Sequence, residues 1–145
     1  MAHNFDRLKA AVIDRRSHNV FYRQQQIQSL FKALQNNAEK FRQAIINDTG
    51  HSEYETTMEI NLTISSVRTN YASLDATKFH NDEYAVANGK DAAQNSVPVG
   101  IVYIEPTTHT LLYSIIVPLS AAITAGNCVI VLVSSQVTSI ITCRS

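Results

Sequence analysis

Apolar residues in the first half of the chain recur at helical spacing. One stripe has members three or four residues apart, as on one face of a helix: Ile27, Leu30, Phe31, Leu34, Ala38, Phe41, Ala44 and Ile45. Asn19 is a suitable N-cap and Gly50 a suitable stop, so we predict one helix of about 25 to 30 residues between them. A shorter helix is predicted from Phe5 to Arg15.

A further helix begins after Gly50. Ser52 followed by Glu55 is a capping-box pattern, and it predicts a helix running toward Leu74. We expect a loosely defined apolar face on this helix, made of Tyr54, Met58, Leu62, Val67, Tyr71 and Leu74. The chain then turns polar up to Pro98, with the turn dipeptide Asn88-Gly89, and we predict loop with one or two short strands.

The last third of the chain is apolar, and the spacing of its apolar residues no longer follows a single helical period. Val99–Ile104 is β-branched and predicts a buried parallel strand. Leu111–Thr124 predicts a helix with Pro118 inside it and Gly126 ending it, and Cys128–Val133 predicts a second buried strand. This strand–helix–strand order is typical of the first βαβ unit of a nucleotide-binding sheet.

The predicted fold class is therefore α/β, with long N-terminal helices followed by the first βαβ unit of a Rossmann-like sheet that is incomplete. We divide the chain into a helical segment (1–76), a polar loop or short-strand connector (77–98), the βαβ unit (99–135) and a divergent tail (136–145).

Composition excludes several classes of function. Twelve Lys and Arg balance 12 Asp and Glu, which gives no reason to expect nucleic acid as a partner. The five histidines are scattered singly along the sequence, so no metal site is predicted. The first residues lack the apolar core of a secretory signal, and we expect a cytoplasmic protein.

A membrane hairpin is an alternative for the apolar third, because Leu111 to Val133 carries no charge. A span needs about 20 continuous apolar residues in one helix, and Gly126-Asn127 interrupts this stretch. We therefore expect a buried βαβ unit and no membrane span.

Three segments resemble the N-terminal part of the aldehyde dehydrogenase superfamily. Residues 48–55, DTGHSEYE, resemble the family's D-x-G-[KR]-x-x-x-E junction between two long helices. Residues 98–102, PVGIV, resemble the P-x-G-V-x that opens the first strand of its nucleotide-binding sheet. Residues 118–130 resemble P-x-x-x-A-[IL]-x-A-G-N-x-V-[VI], the most specific of the three matches.

The resemblance implies a catalytic position. Counting back from Asn127, the family's W-N-[FY]-P falls on Thr108-His109-Thr110-Leu111, so His109 stands where the family has the asparagine that helps to stabilise the oxyanion. A histidine N–H can donate the same kind of hydrogen bond. The alternative is an exposed or capping histidine at a helix start.

The resemblance also implies the cofactor-binding positions: Pro106, Thr107, Thr108, Leu132, Val133, Ser134 and Ser135. The last four stand at the family's K-P-[SA]-E, so the lysine that contacts the adenosine ribose or a 2′-phosphate is here Leu132. A leucine cannot replace a cationic donor, and NAD or NADP is expected to bind the complete family member but not this chain tightly.

The sequence lacks the G-S-T-x-x-G phosphate turn, the general-base glutamate and the nucleophilic cysteine of the family, and neither Cys128 nor Cys143 replaces that cysteine. We expect a truncated N-terminal part of an NAD(P)-dependent aldehyde dehydrogenase, inactive alone and acting with an aldehyde substrate in the complete protein. We expect a homo-oligomer or pairing with a full-length homologue. The alternative is a non-catalytic interaction fragment that pairs with such a homologue.

Overall fold

The computed structural model describes residues 9–91 and 97–132. Residues 9–14 are helical, and a 3-10 turn follows at Arg16–His18. The regular elements after it are helices and two short strands: α1 (Val20–Asn36), α2 (Ala38–Thr49), α3 (Glu53–Ala72), α4 (Ala76–Glu83), β1 (Ile101–Ile104), α5 (Leu111–Thr124) and β2 (Cys128–Val131). The predicted tail, and the predictions for Val133, Ser134, Ser135 and Cys143, lie outside the described residues.

The predicted long helix is two helices, which corrects the prediction of one. Its ends are confirmed: the Asn19 side chain accepts hydrogen bonds from two backbone N–H groups at the start of α1, and Gly50 ends α2 with a φ of 70°. The break is at Asn37, whose side-chain Nδ2 donates to the Ala33 carbonyl oxygen at 2.9 Å. The side chain thereby competes for a backbone acceptor of the helix, and the chain leaves helical geometry for one residue.

The capping box at the start of α3 is confirmed, with both reciprocal hydrogen bonds between Ser52 and Glu55 present. The predicted apolar face of α3 is wrong for most of its members. Tyr54 is 74% exposed, and Met58, Leu62 and Tyr71 are exposed as well. Val67 and Leu74 are buried as predicted, and the other buried side chains of α3 are Thr56, Glu59, Ile60 and Thr63. Helix α3 packs against α1, α2 and α5, and small threonines let these helices approach closely.

Helix α4 occupies part of the connector for which we predicted loop or short strands. The Asp75 carboxylate caps this helix by accepting hydrogen bonds from the N–H groups of Thr77 and Lys78. Asn88-Gly89 forms a turn after α4, where the Lys90 N–H donates to the Ala85 carbonyl oxygen at 2.8 Å. The described residues on either side of this turn form no strand, so it is not a hairpin turn.

The βαβ unit is confirmed. Strands β1 and β2 pair in parallel with Ile101 opposite Cys128 and Ile104 opposite Val131, and α5 connects them over the predicted range. The predicted burial of the strands is too high. Ile104 is buried, whereas Tyr103 is exposed and all four residues of β2 are half-buried, because the sheet has two strands within the described residues.

The core lies among the helices. Seven buried side chains form it: Ile27, Leu34, Ile45, Ile60, Val67, Leu74 and Leu112. Leu112 brings α5 into this core, and the Asn70 side-chain amide donates to Ser120 Oγ at 2.7 Å between α3 and α5. The helical segment and the βαβ unit therefore pack as one body.

Two family-like motifs meet at the exit of α5. Asn127 Oδ1 accepts a hydrogen bond from the Gly100 N–H at 3.0 Å, which ties the A-G-N turn to the P-x-G turn. Gly126 has a φ of 83°, and a Cβ added there would lie 2.9 Å from Pro98 Cγ and 3.2 Å from the Ser17 carbonyl oxygen. Glycine is required at this position by backbone geometry and by space.

We expect Gly126→Ala to lower the free energy of unfolding more than Gly50→Ala does. Both glycines are left-handed, but nothing lies within 4 Å of a Cβ at Gly50. The left-handed backbone costs an alanine about 1–2 kcal/mol at either position, and the overlap at Gly126 adds about 1–3 kcal/mol. Urea denaturation of both variants measures the difference, and equal losses would contradict the close contact with Pro98.

Candidate functional site

The candidate residues lie at the carboxyl edge of the two-stranded sheet. The Leu132 N–H donates to the Ile104 carbonyl oxygen at 2.9 Å, so the chain leaves both strands side by side. Pro106 is half-buried, whereas Thr107, Thr108 and His109 are exposed, as is Leu132. Ligands of open parallel sheets bind at this edge.

Ser114 of α5 fixes the loop that follows β1. Its hydroxyl accepts a hydrogen bond from the Thr107 N–H at 3.2 Å and lies 3.1 Å from the Leu111 carbonyl oxygen, to which it can donate. The loop is thereby held against the first turn of α5. Thr107 has a defined backbone position although its side chain is exposed.

His109 contacts the loop between α2 and α3. Its ring centroid lies 5.3 Å from that of His51, and the two rings are nearly perpendicular at 80°. The sequence separates these histidines widely, and the fold brings them together. The two histidines lie beside the capping box of α3.

The residues around the capping box lower the pKa of the Glu55 carboxyl. Hydrogen bonds from the Ser52 hydroxyl and the Ser52 backbone N–H lower the pKa of the Glu55 carboxyl, and the nearby charges of His51 and His109 lower it further. Ser52 Oγ lies 2.7 Å from Glu55 Oε2, and the Ser52 nitrogen lies 2.9 Å from it.

A second carboxylate of α3 reaches the start of α5. Glu59 is 7% exposed, and its Oε1 accepts a hydrogen bond from the Tyr113 N–H at 3.1 Å. Thr110, the residue before α5, makes no side-chain capping hydrogen bond of its own. The carboxylate therefore replaces a local cap at a helix end whose N–H groups need acceptors.

A groove of about 540 Å³ lies at the amino end of β2. It is lined by residues before α1, residues of α1 and the start of β2, including Asp14, Arg16, Arg23 and Cys128. Asn127 and Cys128 are at the amino end of β2, so this groove is remote from the carboxyl edge where the candidate residues lie.

The side chains needed for thiol or metal chemistry are not assembled in the described part of the chain. Cys128 is half-buried on β2, as a small core side chain. Residues 9–91 and 97–132 contain no group of three or more His, Cys, Asp and Glu that could hold a metal ion.

Within those same ranges, no helix combines the length and apolarity that crossing a bilayer requires.

A sequence model of the aldehyde dehydrogenase family matches residues 5–144, nearly the whole chain. The chain belongs to the aldehyde dehydrogenase family. The match extends past Ser135 to residue 144. No significant match was found among curated proteins, and none among solved structures.

Family membership explains why the motifs of this chain occur together, and the structure adds what they do locally. Gly100, Gly126 and Asn127 of the aldehyde dehydrogenase pattern contact the backbone of their own chain. Sequence reasoning missed three residues of the candidate site: His51, Glu59 and Ser114. Only His51 had a signal, since it stands in the D-x-G-[KR] junction at the basic position.

We expect Glu55→Gln to weaken the chain at neutral pH and to lose this effect in acid. A carboxyl with a lowered pKa in the folded state contributes stability that is fully present above its ordinary value of 4.5 and is lost as the pH falls through the lower folded value. The unfolding free energies of wild type and Glu55→Gln should therefore converge as the pH falls below 4.5 and through the lower folded value.

Urea denaturation between about pH 7 and pH 3 measures this convergence. Glu53→Gln is the matched control, because Glu53 is exposed in the same helical turn but is outside the capping box. A difference that stays constant with pH, or an equal convergence in the control, would contradict the assignment.

Proposed function

We propose that this chain provides the first βαβ unit and the adjoining helices of a protein that oxidises an aldehyde to a carboxylic acid with NAD(P)+. The observation that carries the proposal is the hydrogen bond between Leu132 and Ile104, which brings the two candidate segments to one edge of the sheet. Aldehyde dehydrogenases generally depend on NAD(P) and act on aldehydes.

The chain's own contribution to cofactor binding is small in this proposal. Pro106, Thr107 and Thr108 border the edge from β1, and Leu132 enters it from β2 with 45% of its surface exposed. The leucine packs against the adenosine side but offers no charge to a ribose or a phosphate. Val133, Ser134 and Ser135 complete this stretch in the proposal. When bound, the cofactor accepts a hydride.

His109 is the residue through which this chain reaches the reacting atoms. It follows β1, is exposed at the carboxyl edge, and is held beside His51. A ring N–H directed at the substrate oxygen stabilises negative charge that develops there during attack by a thiolate. These 145 residues contain neither the nucleophilic cysteine motif nor the general-base glutamate motif of the family, so we propose that this chain alone does not catalyse the oxidation.

A second function is favoured by the exposed apolar surface. Tyr54, Met58 and Leu62 are exposed at four-residue spacing along α3, and Tyr103 is exposed on β1. Such surface supports a non-catalytic fragment that pairs with a full-length homologue.

For the catalytic function, we also propose that the protein is a homo-oligomer in the cytoplasm and has no nucleic acid as partner.

A hybrid enzyme tests the catalytic proposal. Residues up to Val131 replace the matching segment of an active aldehyde dehydrogenase, and NAD(P)H formation is followed by absorbance. We expect activity, and we expect His109→Ala in the hybrid to lower kcat by about 100-fold with little change in KM, because the substitution removes the ring N–H that donates to the oxyanion.

His80→Ala is the matched control, since His80 is exposed on α4 and contacts Tyr84 rather than the candidate site. An equal effect of both substitutions would contradict the role of position 109. A hybrid that folds and binds NAD(P)+ but stays inactive would favour the interaction fragment.

A further inference from the structure

Glu59 is a buried carboxylate that the catalytic proposal does not use. It lies on α3 with 7% of its surface exposed, among residues that pack against α5. Its Oε1 lies 3.1 Å from the Tyr113 nitrogen, the third residue of α5. A carboxylate is stabilised at a helix N-terminus by the backbone N–H groups and by the helix dipole.

The start of α5 depends on this contact. The first N–H groups of a helix have no partner within the helix. The Ser114 N–H, one residue beyond Tyr113, donates to the carbonyl oxygen of the N-cap residue Thr110 at 2.9 Å. Thr110 makes no side-chain capping bond, so Glu59 provides the cap from a neighbouring helix.

The same part of α3 also borders His109. His51 and the capping-box residue Glu55 precede Glu59 by two turns and one turn of the chain, and the His51 ring contacts the His109 ring. His109 precedes α5 by two residues. The segment from His109 to Tyr113 is thus held by the loop before α3 at one end and by α3 at the other.

We propose that Glu59 is a positioning residue that sets the start of α5 and thereby the place of the side chain at position 109. The proposal rests on the proposed function, in which that side chain faces the oxyanion. Glu59 acts through the Tyr113 N–H and touches neither substrate nor cofactor.

The experiment uses the full chain labelled with 15N and 13C. Glu59→Gln keeps an acceptor oxygen, whereas Glu59→Met fills a similar volume without one. We expect the Tyr113 amide of Glu59→Met to exchange with solvent at least about tenfold faster than in wild type, and the His109 ring signals to shift. Glu59→Gln should restore both towards wild type.

Glu53→Met is the matched control, because it makes the same change at an exposed position of α3. The Cys128 amide, which donates to the Gly100 carbonyl oxygen at 2.8 Å, reports whether a variant is folded. Unchanged Tyr113 exchange in a folded Glu59→Met variant, or an effect of equal size in Glu53→Met, would overturn the proposal.

A measurement on wild type guards against a variant that does not fold. Wild type should show a through-hydrogen-bond scalar coupling between the Tyr113 amide nitrogen and the Glu59 carboxyl carbon, because the Tyr113 N–H donates to Glu59 Oε1 at 3.1 Å. Absence of this coupling would overturn the inference alone. An inactive hybrid enzyme with this coupling intact would count against the proposed function alone.

Discussion

The guanidinium of Arg23 joins the parts of this structure. Its Nη1 donates to the Thr124 carbonyl oxygen at 2.8 Å and its Nη2 to the His18 carbonyl oxygen at 2.7 Å, and its Cζ lies 4.3 Å from the centre of the Phe79 ring. Both carbonyls belong to the last residues of helical turns, where acceptors lack intrahelical donors. One side chain of α1 thus holds the 3-10 turn, α4 and the end of α5 together.

Burial of this cation has a cost that its partners offset. Arg23 is 5% exposed, and burial lowers its pKa, but guanidinium stays protonated in proteins. Two charge-assisted hydrogen bonds and the aromatic ring of Phe79 offset part of the lost hydration, whereas the buried Nε has no hydrogen-bond partner among the described residues. The A-G-N turn follows directly after Thr124, so the joint fixes the point where α5 passes into β2. The A-G-N residues of the family motif therefore have a structural role in this chain, at the junction between α5 and β2.

Features that depend on neighbouring residues in sequence could be predicted. The caps at Asn19 and Ser52, the stop at Gly50 and the full extent of α5 follow from local backbone chemistry, and the structure has them as expected. The parallel pairing of the two strands follows from their connection by a helix.

Features that depend on tertiary contacts could not be predicted. Glu59 and Arg23 are charged residues within helices, and nothing nearby in sequence distinguishes them from solvated ones. Helix α4 is stabilised by an Asp75 cap and by Phe79 against Arg23, which a polar stretch does not reveal. The candidate site shows the same division, since position 109 followed from the motif but its contact with His51 required the fold.

In this account, Arg23 joins the helices and the βαβ unit into one body. The most direct measurement is the free energy of unfolding of Arg23→Met against Arg68→Met, an exposed arginine of α3. We predict a loss of about 3–5 kcal/mol for Arg23→Met, since two charge-assisted hydrogen bonds to backbone carbonyls are lost, and of less than about 0.5 kcal/mol for Arg68→Met. Losses of similar size in the two variants would contradict the claim.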